Sequence, residues 1–294
     1  MNIALAFGLA LALLQQAAPV VVKPAASNGW PEVSPDGTRI AFLSDRNGGQ
    51  DVFTITAAGA NEIQVTQVKA DISGLSWSPD GAQIRFAVFD GKATTRIYSI
   101  NPGGTNQTQI GQVPGQGAEI SPDGKRAIYN SSGSWTSTKL FVSNLDGSAA
   151  RQITDGSSIA WNRRWSPDGQ SIAFTGKDST GNLQVFLMKA DGAGLRQLTS
   201  ASPAEGKPQV PAWSPDGRQI AMQVNNGKKY AEIWITDIAT GSTRRISHHE
   251  QEYLDEWPRW FPDGRRLAFQ SNRTGSMQVW TMNVDGSDQS QTTK

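Results

Sequence analysis

The chain of 294 residues contains no cysteine. That excludes disulfides, thiolate metal centres, a cysteine nucleophile and a lipid-bearing cysteine behind a leader. Histidine is almost absent: His248 and His249 stand side by side and no others occur. Chemistry that needs imidazoles converging from separate elements therefore lacks its donors. No Gly-x-Ser-x-Gly elbow is present, which removes the nucleophile turn of the α/β-hydrolases. An excess of one charge is missing too. The 27 basic side chains stand against 26 acidic ones, whereas a nucleic-acid footprint needs a basic surplus.

Long apolar runs are scarce as well. Ile3 to Leu14 is apolar apart from one glycine, but falls short of the roughly 20 residues that span a bilayer. It suits the core of a secretory signal peptide, although no Lys or Arg precedes it and no clean small-x-small cleavage site follows. Residues 1–18 are read as that signal and 19–27 as a linker. The mature chain is then expected to have no membrane span and to be periplasmic or secreted. An exported chain without disulfides has to stand on its core alone.

What the sequence does have is a repeated turn. Ser-Pro-Asp-Gly begins at Ser34, Ser78, Ser121, Ser166 and Ser214, and a sixth copy begins at Phe261. Spacings of 43 to 48 residues mark a repeated supersecondary unit. Serine first, proline second and glycine fourth suit a type I turn, because proline presets φ and glycine accepts left-handed geometry. Each copy follows a short strand ending in a bulky residue (Val33, Trp77, Ile120, Trp165, Trp213, Trp260) and precedes a second strand such as Ile40-Ala41-Phe42. A glycine loop, a third strand, another turn and a short fourth strand complete the unit. Thirty glycines and fifteen prolines fit so many turns, and no stretch has helical period. Four antiparallel strands, six times over residues 28–294, predict an all-β fold: a six-bladed β-propeller. The first unit opens on its first strand and the last ends on its fourth, so each blade is contiguous. Val20 to Val22 are a candidate extra edge strand for the last blade.

This order puts the Ser-Pro-Asp-Gly turns on one face and the glycine loops and blade crossovers on the other. The crossovers vary in length, so a binding site is expected on their face. The residue two before each turn is Glu32, Ser76, Glu119, Arg164, Ala212 or Arg259. Alternation aims this column at the central channel. Two readings stand: a polar binding ring built on Glu32, Glu119, Arg164 and Arg259, or a channel wall of internal ion pairs. The tryptophans before the turns read as packing between blades. Trp30, Trp135, Trp161 and Trp257 fall outside that register. Trp161 and Trp257 are placed in crossovers and Trp135 in a glycine loop, as candidate interface aromatics. The turn aspartates are expected to bond their own backbone. His248, His249 and Glu250 are the only candidates for a metal, in a loop that otherwise reads as solvated and acidic through Glu256, with Lys228 and Lys229 available to pair with it. No cofactor is expected.

The turn repeats, with Trp260, Leu267-Ala268-Phe269 and Ser271-Asn272-Arg273-Thr274-Gly275 in the last unit and Ser44-Asp45-Arg46-Asn47-Gly48 in the first, resemble those of the TolB-like propellers. The resemblance spans residues 28–294 and omits the N-terminal α/β domain of TolB. It implies an exported, non-catalytic binding scaffold. The partner would be an envelope protein, a peptide tail or a peptidoglycan-linked molecule docked over the channel. Propellers of this repeat type also include carbohydrate-active enzymes, so a metal-dependent lyase using His248 and His249 is the alternative. The Trp-Asp signature of WD repeats does not occur.

Overall fold

The structure is a computed structural model that describes residues 26–131, 138–156, 159–202, 204–226, 230–248 and 252–294. The signal-like run, Val20 to Val22, Trp135, Lys228, Lys229, His249 and Glu250 lie outside the described residues. Every named element is a strand. They form six four-stranded antiparallel sheets, each from contiguous sequence and each ordered first to fourth. The chain is a six-bladed propeller.

Each blade is held by the turn that repeats. In blade one, Gly37 N–H donates to Ser34 O at 2.8 Å, closing the turn. Gly37 sits at φ 71°, where a side chain would be strained. The Asp36 carboxylate accepts from Ser34 Oγ at 2.6 Å and from the Thr38 N–H at 3.0 Å. The same pair of bonds recurs at Asp80, Asp123, Asp168 and Asp216. These hydrogen bonds hold the turn carboxyls below the usual range. The aspartates serve the turn backbone.

The other end of five blades is finished by a hydroxyl. Thr66, Thr154, Thr199, Ser247 and Thr293 each accept a third-strand N–H at 2.9 Å. Outer strands in those five blades are two or three residues long. Short outer strands expose little unpaired backbone to other chains. Blade two departs from this, with an outer strand from Thr108 to Pro114.

Packing runs between blades. Six buried apolar clusters each span one seam, and one of them joins Ile40, Phe42 and Phe53 of blade one to Phe261, Ala268 and Val279 of blade six. The ring therefore closes by side-chain packing, helped by Asn28, whose N–H donates to Met277 O at 2.8 Å. The tryptophans before the turns lock four seams. Indole N–H groups of Trp77, Trp165, Trp213 and Trp260 donate to the carbonyls of Glu32, Glu119, Arg164 and Ala212, each in the preceding blade. Those acceptors are all members of the channel column, so the seam lock and the channel wall share a backbone.

Candidate functional site

The six inner strands are Asn28–Val33, Ile72–Trp77, Gln116–Ile120, Ala160–Trp165, Lys207–Trp213 and Asp255–Trp260. Each runs from a crossover toward its turn, and each carries a bulge. Gly29 and Glu32 are three residues apart, yet face Leu43 and Ala41, which are two apart. The same slip recurs in the other five blades. One extra residue is inserted on the inner strand each time. The residue four before each turn takes the left-handed backbone: Trp30 (53°), Gly74 (60°), Gly117 (62°), Asn162 (49°), Val210 (53°) and Trp257 (55°). Glycine and asparagine accept this region; tryptophan and β-branched valine do so only under constraint. The constraint is visible at three of them. The N–H of Trp30 donates to Gln270 Oε1 at 2.9 Å, that of Trp257 to Gln223 Oε1 at 3.2 Å, and that of Val210 to Thr175 Oγ1 at 3.3 Å. Each acceptor belongs to the preceding blade.

All six left-handed residues line one chamber of about 140 Å³ at the crossover end of the channel. The rings of Trp30 and Trp257 meet at 5.1 Å and 48°, and Leu43, Leu75 and Val210 extend the apolar wall. Ser73 and Arg163 also line it, and Ser73 Oγ and Arg163 Nε are buried without a hydrogen-bond partner. Arg163 reaches Asn130 Oδ1 at 2.5 Å through Nη1. Burial pulls its guanidinium down to about 10, against the opposing charge of Glu119.

Glu32, Glu119 and Arg164 line both this chamber and a second cavity on the turn face, so they form the waist of the channel. Glu32 Oε1 accepts from Arg259 Nε at 2.7 Å and lies 3.0 Å from Arg164 Nη2. Arg164 Nη1 stands 3.8 Å from Glu119 Oε2, and Glu119 Oε1 accepts the Trp165 N–H at 3.2 Å. Burial pushes the Glu32 carboxyl up to about 7, outweighing the pull of Arg164. Glu119 is raised by burial as well, against Arg164 and Arg163. The four charged residues expected at the channel thus come together, joined by internal ion pairs.

Other expectations need correction. Trp161 and Trp257 are in inner strands, as is Trp30, because those strands begin earlier than the turn register suggests. Trp257 lines the crossover chamber, whereas Trp161 lines neither channel cavity. Of the two channel cavities, Arg259 lines the one on the turn face. Asp255 and Glu256 leave the acidic loop for an inner strand. There Asp255 is fully buried and takes both oxygens to Arg273 Nη2 at 2.7 Å, and Glu256 accepts from Gln270 at 3.2 Å. His248 is exposed. Among the described residues no group of three or more His, Asp or Glu side chains could hold a metal. Sequence reasoning missed Trp30 as a partner of Trp257, and missed Ser73, Asn162, Arg163 and Val210. The available signal was the column four before each turn, where two glycines and an asparagine hint at left-handed backbone.

Six contiguous blades around a channel pinched by charged side chains define a propeller scaffold suited to binding. The chain belongs to the TolB beta propeller domain family, whose description matches residues 10–136 and 199–294. Its fold is similar to that of TolB from Acinetobacter baumannii, at 21% identity and TM-score 0.71, over 87% of this chain and 63% of that one. The chain therefore spans about 63% of the length of that TolB. An oligogalacturonate lyase in complex with manganese is similar over 91% of this chain and 77% of its own, at 16% identity and TM-score 0.61. The β-propeller domain of the trilobed protease from Pyrococcus furiosus is similar at 13% identity and TM-score 0.59, over 91% of this chain and 84% of its own. At such identities the likeness is one of fold.

Proposed function

We propose that this propeller is an exported, non-catalytic binding module that docks an envelope protein or a peptide segment on its crossover face, over the chamber there. One observation carries the reading. Six inner-strand residues hold left-handed backbone around a single chamber, and four of them are not glycine. Such strain costs about 1–3 kcal/mol per residue and persists where the surroundings over-determine it, commonly at binding sites. Trp30 and Trp257 supply the aromatic anchor that interfaces favour, and the unpartnered Ser73 Oγ and Arg163 Nε supply hydrogen bonds to a bound chain. Glu32, Glu119 and Arg164 form the charged floor, and Arg259 holds Glu32 from behind. The apolar run from Ile3 to Leu14 supports export.

The test is capture from envelope extract by the full chain, by Trp30→Ala/Trp257→Ala, and by Arg85→Gln on the opposite face. The expected result is one polypeptide, identified by mass spectrometry, held by the parent and by Arg85→Gln. Its capture falls at least tenfold with the tryptophan pair removed. Equal capture by all three would take the crossover chamber out of the interface.

A further inference from the structure

The turn face of the channel opens into a larger cavity, of about 350 Å³, and its chemistry is different. The turn prolines Pro35, Pro79, Pro122, Pro167 and Pro215 form its rim, with Trp77 and Trp213 between them. Its charged residues are Arg85, Arg164 and Arg259 against Glu32 and Glu119. Three guanidiniums face two carboxylates, whereas the crossover chamber has two of each. Within the lining itself the surplus is not offset. Arg164 and Arg259 share one oxygen of Glu32. Arg85 is half-buried, and burial lowers its affinity for the proton despite the fields of Asp80 and Asp123.

Two donors at this mouth are unused. Arg259 is only 6% exposed, and its Nε and Nη1 are spent on Glu32 and the Pro258 carbonyl. Its Nη2 is buried with no partner, and so is Ser76 Oγ, which lines the same cavity. Buried donors left unpaired are costly, and more so when the group is charged. A ligand acceptor would recover that cost. A single negative charge would balance the surplus guanidinium, and the proline and tryptophan rim would cover an apolar body.

We propose that the turn-face mouth binds one carboxylate carried on a small apolar body, held by Arg259 Nη2 and Ser76 Oγ beneath the proline rim, with Arg85 in the wall. A dianion would leave charge uncompensated, and a cation would meet the surplus guanidinium. The group could be the carboxyl end of a polypeptide or a free organic acid.

The experiment is titration calorimetry of the full chain with three probes: N-acetyl-glycyl-leucine, its C-terminal amide, and 4-methylpentanoate. The expected result is saturable binding of the two carboxylates and at least tenfold weaker binding of the amide. Tighter binding of the peptide acid assigns the site to chain ends, and tighter binding of 4-methylpentanoate assigns it to free acids. Arg259→Gln should weaken either acid at least tenfold. Arg85→Gln lies outside the ion-pair network, so it keeps the test open if Arg259→Gln fails to fold; it should weaken the acids severalfold. Trp30→Ala at the other mouth should leave the acids bound as before, so loss of partner capture and loss of acid binding are separable. Amide binding equal to that of the acid, no binding of either acid, or acids indifferent to Arg85→Gln would overturn the proposal.

Discussion

The same six inner strands build both mouths of the channel, and the mouths follow different rules. At the turn end, left-handed positions in all six copies are glycines, and an aspartate ties each turn to itself. At the crossover end, an equally regular backbone device carries tryptophan, glycine, glycine, asparagine, valine and tryptophan. The first mouth keeps both backbone and side chain constant; the second keeps only the backbone. A repeat fold can therefore fix its geometry with one column of residues and vary its chemistry with another. The bulge is what separates the two columns, since it breaks the alternation that would otherwise tie them together.

The sharpest way to break that comparison is to add one methyl group at each mouth. A Cβ on Gly74 would stand 1.8 Å from the Ala118 carbonyl oxygen of the next blade, which is backbone and cannot swing aside. A Cβ on Gly217, in a turn with φ 69°, would meet nothing within 4 Å. Gly74→Ala is expected to cost about 4 kcal/mol, because it combines a left-handed penalty with a prised seam. Gly217→Ala is expected to cost about 1 kcal/mol, the left-handed penalty alone. Urea unfolding of both variants measures the difference. Equal losses would mean that the crossover seams yield as easily as the turns.

The waist provides a second contrast, in pH. Glu32 titrates near 7 in the folded protein against 4.5 as an ordinary glutamate. Between those values the folded state keeps a proton that the unfolded chain releases, so wild-type stability falls as pH rises through the window. Glutamine cannot lose that proton. The advantage of Glu32→Gln over wild type should grow from near zero at pH 4 to about 3 kcal/mol at pH 8. Glu119, Arg164 and Arg259 face Glu32 in both proteins and do not create the difference. A trend in the reverse direction would show that the two guanidiniums outweigh burial at this carboxyl.

The propeller was legible because its signal is periodic and local. A Ser-Pro-Asp-Gly turn needs those residue types wherever it falls, and the column of Glu32, Glu119, Arg164 and Arg259 follows from the turn by alternation. The bulge was not legible. Its left-handed residue is glycine in two blades only, so no single residue type announces it. The strand signal then begins too late, and Trp161 and Trp257 read as crossover residues when they belong to inner strands. The sixth turn shows a related limit. Phe261 looks like a lost serine, yet it is fully buried in the seam between blades six and one, with Arg266 stacked 4.0 Å from its ring centroid. Asp263 keeps the backbone bond, from the Arg265 N–H, and accepts from Arg266 Nε in place of the serine hydroxyl. A long-range seam contact replaced a local hydrogen bond, and only tertiary structure could reveal the exchange.

The smallest effect belongs to a single turn aspartate, and its pH dependence should run opposite to that of the waist. Asp216 accepts from Ser214 Oγ at 2.6 Å and from the Arg218 N–H at 3.0 Å, and these bonds hold its carboxyl below the ordinary range. A depressed folded-state value means stability that is present above the unfolded pKa and lost as pH falls through the folded one. The group is largely in solvent, so Asp216→Ala should cost no more than about 1 kcal/mol at pH 7. That deficit should vanish in acid, where wild type has also lost the charge. Paired unfolding curves at pH 7 and pH 2.5 would measure it. A deficit that persists at pH 2.5 would mean the carboxyl acts through its neutral hydrogen bonds, leaving the turn indifferent to charge. The aspartates lose their contribution in acid, and Glu32 loses its own as pH rises toward 7. The two regions together therefore set a stability maximum between the aspartate range and Glu32, with the turns bounding the acid side and the waist the other.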